Sequence, residues 1–545
     1  MDSIGIIFAI LMAILASGAL VRVIPFSIPL PLIQIVLGGI VAGVFKEGVV
    51  LDPHVFFLLF IPPLLFLDGW QMPNSVLKKE RVNIFQLAFG LVLFTMLGLG
   101  YIIHWMIPSM PLPIAFALAA ILSPTDPVAV AGIARKLAVP ERVMSILEGE
   151  ALFNDASGLV AFRMAVLVAV TGSFSFYKAA TTFLWVAIAG VLVGIATTWL
   201  LSYVRRKFTN KYGEELGSEI LLSLLMPFFA YMIAEAIDAS GVLAAVAAGI
   251  TMSRLELTGG IEPMTRMRRS AIWDTVQFTL NGAIFVLLGE QLPGIFNSAV
   301  EVVTQTGHQS VWWLLIYAFV ICFTLMVFRF AWVFVSINIT YAIKHKRRLP
   351  LTHPNIRDML VLSIGGVRGA ITLAGVMTLP LLLPSGDEFP TRDLAIFLAA
   401  TVIIISLLMA SILLPILLKD VQAEADIQSP LALQKKIAIA AAKKSGEKHI
   451  AELLAKLQHT HPQVTDDYYQ NLTQRLWVEF ENSFDPYRDP DNIAHQHYEI
   501  ERSMRLVIID AARQAIFHLA KEHKISDDVS REMVKQLDFD EVRIS

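Results

Sequence analysis

Charge is scarce in this chain. Only 16% of its 545 residues are Asp, Glu, Lys or Arg, against roughly 25% in an average soluble domain, and 56% are hydrophobic, which excludes an ordinary soluble protein. A basic excess is lacking too. The formal net charge of −3 leaves nothing to neutralise a phosphate backbone, so no nucleic-acid partner is expected. Cysteine is nearly absent: Cys322 stands alone in an apolar run, which rules out an intramolecular disulfide framework or a cysteine-rich metal site and leaves the redox compartment unread. No His-Glu-x-x-His, Gly-x-Ser-x-Gly or phosphate-loop pattern occurs, so the chain is read as no enzyme and as needing no cofactor.

What the chain has in abundance is long apolar runs. Stretches able to cross about 30 Å of hydrocarbon fall at 3–23, 29–45, 54–70, 83–107, 112–134, 143–171, 180–203, 217–237, 240–255, 271–289, 311–341, 358–383 and 393–418, thirteen in all. The first has neither a basic leader nor a convincing cleavage site, so it reads as a retained span. The second, third and ninth are short, and the eighth and ninth are separated only by the stretch from Asp238 to Gly241. Basic residues concentrate in alternate loops: Lys78, Lys79 and Arg81, then Arg135, Lys136 and Arg142, then Arg205, Arg206, Lys207 and Lys211, and onward to Arg357, against only Lys46, Lys178 and Arg392 on the other side. Basic loops stay cytoplasmic, which predicts an outside amino terminus and a cytoplasmic carboxyl terminus. Compact loops and the absence of a targeting segment point to a bacterial cell (inner) membrane, with lipid as the surrounding partner.

After Lys419 the composition changes to mixed charge without long apolar runs. The division expected is therefore a transmembrane domain over 1–419 and a cytoplasmic helical tail over 420–545. Within the tail, 430–444 and 498–522 show helical periodicity. The tail reads either as a solvated accessory domain or as a regulator with an unknown ligand. Its Asn471-Leu-Thr sequon is irrelevant in the cytosol.

With an odd number of spans, spans one to six and eight to thirteen enter the membrane from opposite sides, the arrangement of two inverted six-helix repeats. The fifth member of each set is punctuated, by Ser123-Pro124-Thr125-Asp126-Pro127 and by Gly365-Gly366-Val367-Arg368-Gly369. Paired interruptions at corresponding places point to a transporter site near the bilayer midplane.

An ionisable residue deep in a span is costly and is a functional candidate by default. Asp155 lies well inside the sixth span beside Asn154. Burial penalises its charged form, so it can hold a proton or a small cation; the alternative is a carboxylate locked to an arginine. Thr125 and Asp126 sit between two prolines, where an unwound backbone and side-chain oxygens offer the hard ligands a monovalent cation prefers. Asp126 could equally serve the amino end of the half-helix that follows it. Glu150 and Asn154 share a face, whereas Asp155 is turned about 140° from Glu150. Glu150 is therefore free to pair with Arg329 or Arg368, holding two helices in register. Arg163 is read as snorkelling or pairing with a helix-end acid as readily as taking part in transport, His104 as an interfacial anchor, and Asp68, by depth alone, as an interfacial carboxylate.

The ordered set Phe60-Ile61-Pro62-Pro63-Leu64-Leu65-Phe66-Leu67-Asp68-Gly69, Ser123-Pro124-Thr125-Asp126-Pro127-Val128-Ala129-Val130, Glu148-Gly149-Glu150-Ala151-Leu152-Phe153-Asn154-Asp155 and Gly365-Gly366-Val367-Arg368-Gly369-Ala370 resembles the monovalent cation/proton antiporter family, in its sodium/proton exchanger branch. The resemblance covers about 1–418. It implies an all-α polytopic fold with crossing broken helices, a homodimer, Asp155 as the carrier of cation and proton, Asn154 as its structural neighbour, and Thr125 and Asp126 as crossover residues. It also implies Asp68 at the ion site or its cytoplasmic funnel, an ion pair between Glu150 and Arg329, and Arg368 beside the second crossover. Ala151 stands where some relatives have a serine, which removes one expected oxygen. Asn154, where electrogenic relatives have a second aspartate, suggests electroneutral 1:1 exchange of Na+, or of Li+ or K+, for H+. The rival reading is a cation channel or uniporter built on the same polar centre.

Overall fold

The computed structural model describes residues 2–23, 28–45, 53–72, 80–126, 141–172, 176–213, 215–256, 263–305, 312–346, 356–383, 386–418, 440–447, 449–451, 453–454, 466–484, 493–522, 524 and 527–544. Pro127, the expected second half of the fifth span and the first part of the expected 430–444 helix lie outside the described residues.

Contacts divide the chain into two units, Met1–Ala423 and Glu424–Ser545. The first contains α1 (Asp2–Val23), α2 (Leu30–Val44), α3 (Pro53–Gln71) and α4, which runs in three contiguous pieces, Arg81–Phe85, Gln86–Leu91 and Val92–Met106. Then come α5 (Leu112–Leu122), α6 (Glu141–Thr171), α7 (Phe176–Tyr212), α8 (Leu216–Glu235), α9 (Gly241–Glu256), α10 (Pro263–Gln305), α11 (Trp312–Lys346), α12 (Ile356–Ile364), α13 (Ala370–Met377) and α14 (Arg392–Leu418). Among the described residues, extended pairing is limited to one isolated bridge, Leu382 to Glu388. Among the described residues, eight helices are long and apolar enough to cross a membrane, and the chain is an all-helical, multi-pass membrane protein.

Every expected span overlaps a helix, but the ends differ for a physical reason. Hydropathy marks where the solvent changes, whereas a helix stops where its backbone is made to. α7 continues past the expected end at 203 to Tyr212, through Arg205 and Lys207, until Gly213 adopts φ 89° and its N–H closes on the Thr209 carbonyl at 2.9 Å, a glycine termination. Asp238, at φ 54°, makes the turn between α8 and α9. The twelfth span ends its helix at Met377 rather than 383, because Pro380 and Pro384 cannot continue it.

The middle piece of α4, Gln86–Leu91, is π-helical, which frees carbonyls from the regular ladder. The Ser157 hydroxyl donates to the Ala88 carbonyl at 2.5 Å and the Trp332 indole to the Gln86 carbonyl at 3.1 Å. α4 is thereby tied to α6 and α11. Nothing in the hydropathy pattern marks this segment.

Two helix pairs approach most closely through reciprocal glycines. A methyl group at Gly249 of α9 would fall on the Phe66 carbonyl of α3, and one at Gly69 of α3 on the Val246 carbonyl of α9. Gly38 of α2 and Gly289 of α10 stand in the same relation. Small residues let helix backbones meet in a lipid environment, where apolar burial alone drives little association. At one end of α3, Trp70 donates to Glu256 at 2.9 Å, and Arg269 of α10, itself paired with Glu256, lies over the Trp70 ring at 5.1 Å.

The second unit contains α15 (Asp466–Phe484), α16 (Ile493–Lys521) and α17 (Asp527–Ile544). Arg513 of α16 bonds Asp538 at 2.9 Å and Glu541 of α17, and these acceptors push its guanidinium further above its already high range.

Replacing Gly249 by leucine forces α3 and α9 apart. Overpacking of this kind costs about 1–3 kcal/mol, so the G249L protein should melt several degrees below the parent in a detergent thermal-shift assay, while a lipid-facing control, Leu192→Ile (Leu192 is 60% exposed), should leave the melt unchanged.

Candidate ion-binding site

Both interrupted helices stop at the same place. α5 ends at Leu122, and Ser123, Pro124, Thr125 and Asp126 continue without helical structure; α12 ends at Ile364, and residues 365–369 separate it from α13. The two irregular stretches cross. The Asp126 N–H donates to the Val367 carbonyl at 2.7 Å, and a methyl group at Gly369 would fall on the Asp126 carboxylate, so this crossing needs glycine.

A helix that stops in the interior leaves its last carbonyls without partners and a partial negative charge at its end. Here arginines meet both ends. Arg368 donates from Nε to the Leu122 carbonyl at 2.9 Å and from Nη1 to the Gly366 carbonyl at 2.5 Å. Arg329 of α11 donates from Nε to the Leu362 carbonyl at 2.9 Å. Arg329 also holds both oxygens of Glu150, Nη1 to Oε1 at 2.5 Å and Nη2 to Oε2 at 2.7 Å, with the two residues 1% and 0% exposed. A buried two-pronged pair of this kind fixes geometry more than it adds stability. Of the two arginines considered for Glu150, the pairing is with Arg329.

Asn154, one turn along α6, donates to Glu150 Oε1 at 3.3 Å and to Thr125 Oγ1 at 3.0 Å, and the Thr125 hydroxyl reaches Glu150 at 3.4 Å. Asn154 therefore lies behind the site, tying the broken segment to α6. The next residue, Asp155, turns the other way, into a cavity of ≈ 30 Å³ that it shares with Leu64 and Asp68 of α3, with Pro124, Thr125 and Asp126, with residues 369–372 at the start of α13, and with Gln277 and Asn281 of α10. That is room for one or two waters or a bare monovalent cation.

Three carboxylates around so small a space repel one another, and a bound proton or a bound cation relieves the repulsion. Among the described residues, no three acidic, histidine or cysteine side chains converge closely enough to chelate a metal. Asp126 lines the cavity and also sits against Gly369 at the amino end of α13, where a negative charge is favoured. Both roles considered for it are open to it, with one difference: the helix end beside it belongs to the other broken helix.

Asp68 lies on the cavity. Arg163 sits outside the cavity, paired with Glu235 of α8 at 3.1 Å and 5.7 Å from the Phe57 ring centre, and the His104 ring bonds the Met110 carbonyl at 2.8 Å in a turn. Sequence reading missed Gln277, Asn281 and Thr372. A signal for the first two existed: a pair of amides four residues apart in an otherwise apolar stretch.

An all-helical membrane protein whose two broken helices cross beside a buried carboxylate has the architecture of a secondary ion transporter. A family model described as "Sodium/hydrogen exchanger, transmembrane" matches residues 7–420, and the chain belongs to that family. It is 38% identical to an uncharacterised Na(+)/H(+) exchanger, YjcE, of Escherichia coli (strain K12), over 96% of this chain and 95% of that protein. It is 42% identical to a sodium, potassium, lithium and rubidium/H(+) antiporter of Bacillus subtilis (strain 168), over 76% of this chain and 62% of that protein. The sodium proton antiporter MjNhaP1 of Methanocaldococcus jannaschii shares the fold, with a TM-score of 0.58 at 18% identity over 78% of this chain and 100% of that one.

Removing one member of the buried pair strands the other. E150A should destabilise the protein by about 3–5 kcal/mol, and the volume-matched double variant E150L/R329M should recover much of that loss in detergent unfolding experiments.

Proposed function

We propose that this chain exchanges Na+ for H+ across a cell membrane by alternating access, with the two ions competing for Asp155. The observation that carries this reading is the cavity of about one ion's volume in which Asp155 faces Asp126, Thr125 and Asp68 at the crossing of the broken helices. A proton on Asp155 and a cation beside it are mutually exclusive ways of offsetting the same charge. With Asn154 engaged elsewhere, one carboxylate on α6 faces the cavity, which favours electroneutral 1:1 exchange. The name of the Bacillus subtilis relative makes Li+ and K+ the further cations to test. We assign Thr125 and Asp126 as cation ligands, Asp68 as a carboxylate of the same site, Asn154, Glu150 and Arg329 as its frame, and Arg368 as the brace of the crossover.

The same reading takes 1–419 as the transport domain and 420–545 as a cytoplasmic helical domain, in a homodimer of the bacterial inner membrane with an outside amino terminus. Two inverted repeats are supported by the glycine-paired helices: exchanging the two sets of six turns the α2–α10 pair into the α9–α3 pair, with Gly38 exchanging for Gly249 and Gly289 for Gly69. A channel would need rings of ligands along a continuous wet path, and no observation favours one.

In vesicles loaded with a pH dye, adding Na+ should drive proton movement that is insensitive to membrane potential and abolished in D155N. Sodium-driven current, or Na+ flux with no opposing proton flux, would overturn the reading. Because protonation removes the cation's partner, the apparent KM for Na+ should rise about tenfold per pH unit once the pH is below the pKa of the site; a KM constant with pH would count against competition. The Arg163–Glu235 pair links the helix bearing Asp155 to α8, with side chains 46% and 34% exposed. At that exposure R163E or E235R alone should change the transport rate by no more than about fivefold, and the charge-swapped double variant should restore it.

A further inference from the structure

α10 has two amide side chains on the ion cavity, Gln277 and Asn281. Four residues apart, they lie on one face of the helix, about 6 Å from each other along its axis. Among the described residues neither makes a hydrogen bond to another side chain or to backbone. Leaving amides without partners in an apolar span is costly, unless what they face is the cavity and its contents. α10 packs through Gly289 against α2, so these amides approach the ion from a helix other than the one carrying Asp155.

We infer that Gln277 and Asn281 set the cation preference of the site by supplying neutral oxygen ligands to the ion held at Asp155. The inference rests on the exchange reading above and adds to it the residues that choose among Na+, Li+ and K+. An amide oxygen is a hard ligand suited to alkali cations, and unlike a carboxylate it does not titrate. It strengthens cation binding without competing for the proton. Affinity for cation and affinity for proton can then be tuned on separate side chains, the carboxylates carrying both and the amides only the first. α6 brings a single oxygen-bearing side chain, Asp155, to the cavity, so the amides of α10 add oxygens that α6 does not supply.

The test compares the near-isosteric variants N281V and N281T, which differ by one oxygen, with Q277L as a second site, in the reconstituted full-length protein with NaCl, LiCl or KCl as the driving salt. N281V should raise the KM for Na+ about tenfold, the scale of losing one polar contact to a charge, and shift the ratio of the Na+ and K+ KM values, with kcat and the pH midpoint at saturating cation little changed. N281T should keep the parent ratio, and Q277L should shift it in part. Parent-like ratios in both Asn281 variants would overturn the inference, and so would equal losses in both, which would mean that side-chain shape is what matters there. If the parent protein itself shows no cation-linked proton flux, the exchange reading is what fails. Sodium-dependent thermal stabilisation in detergent then decides the ligand role by itself: lost in N281V but kept in N281T, it supports the role; alike in both, it overturns it.

Discussion

Everything at the centre of this protein follows from stopping two helices in a place where water cannot satisfy their ends. Within a membrane-embedded interior each unpaired carbonyl or amide is expensive, and two half-helices present several. The crossing answers part of this, with the Asp126 amide on the Val367 carbonyl. Arginines answer more of it, Arg368 on the Leu122 carbonyl at the end of α5 and Arg329 on the Leu362 carbonyl at the end of α12. Arg329, once buried, needs a counter-charge, and Glu150 supplies it. The ionisable residues around the crossing are thus of two kinds: those engaged by the broken backbone and those that line the cavity.

That distinction explains the division of labour on α6. Glu150 and Asn154, four residues apart, face the brace, and Asp155, turned away from them, faces the cavity. One helix therefore turns a paired carboxylate and a cavity-lining one to different sides, and the bonds from Asn154 to both Glu150 and Thr125 keep the broken segment in register with the helix that carries Asp155. In the proposed exchange, the mutual repulsion of Asp68, Asp126 and Asp155 is what a proton or a cation relieves, so affinity for either comes from the same source. The other wall comes from α3 and α10, which bring Asp68, Gln277 and Asn281 to that space.

Much of this was written in the sequence. Scarce charge and long apolar runs determined a multi-pass helical membrane protein, because the bilayer tolerates few other solutions. The prolines around Thr125 and the glycines around Val367 marked where helices break, and the residue step from Glu150 to Asp155 marked which carboxylate pairs and which does not, since helical geometry is local. Tertiary structure decided what local geometry cannot encode. Which arginine pairs with Glu150 depended on where each lies in the fold: Arg329 holds the carboxylate, while Arg368 meets the Leu122 carbonyl at the end of α5, a contact between residues 246 positions apart. Asp68 lines the cavity because folding set α3 beside the two crossing segments, a placement its depth in the span did not indicate. Gln277 and Asn281 read as two polar residues in an apolar helix until folding set them on the cavity, because a side chain's partner is fixed by where other helices lie and not by its own neighbours in the chain.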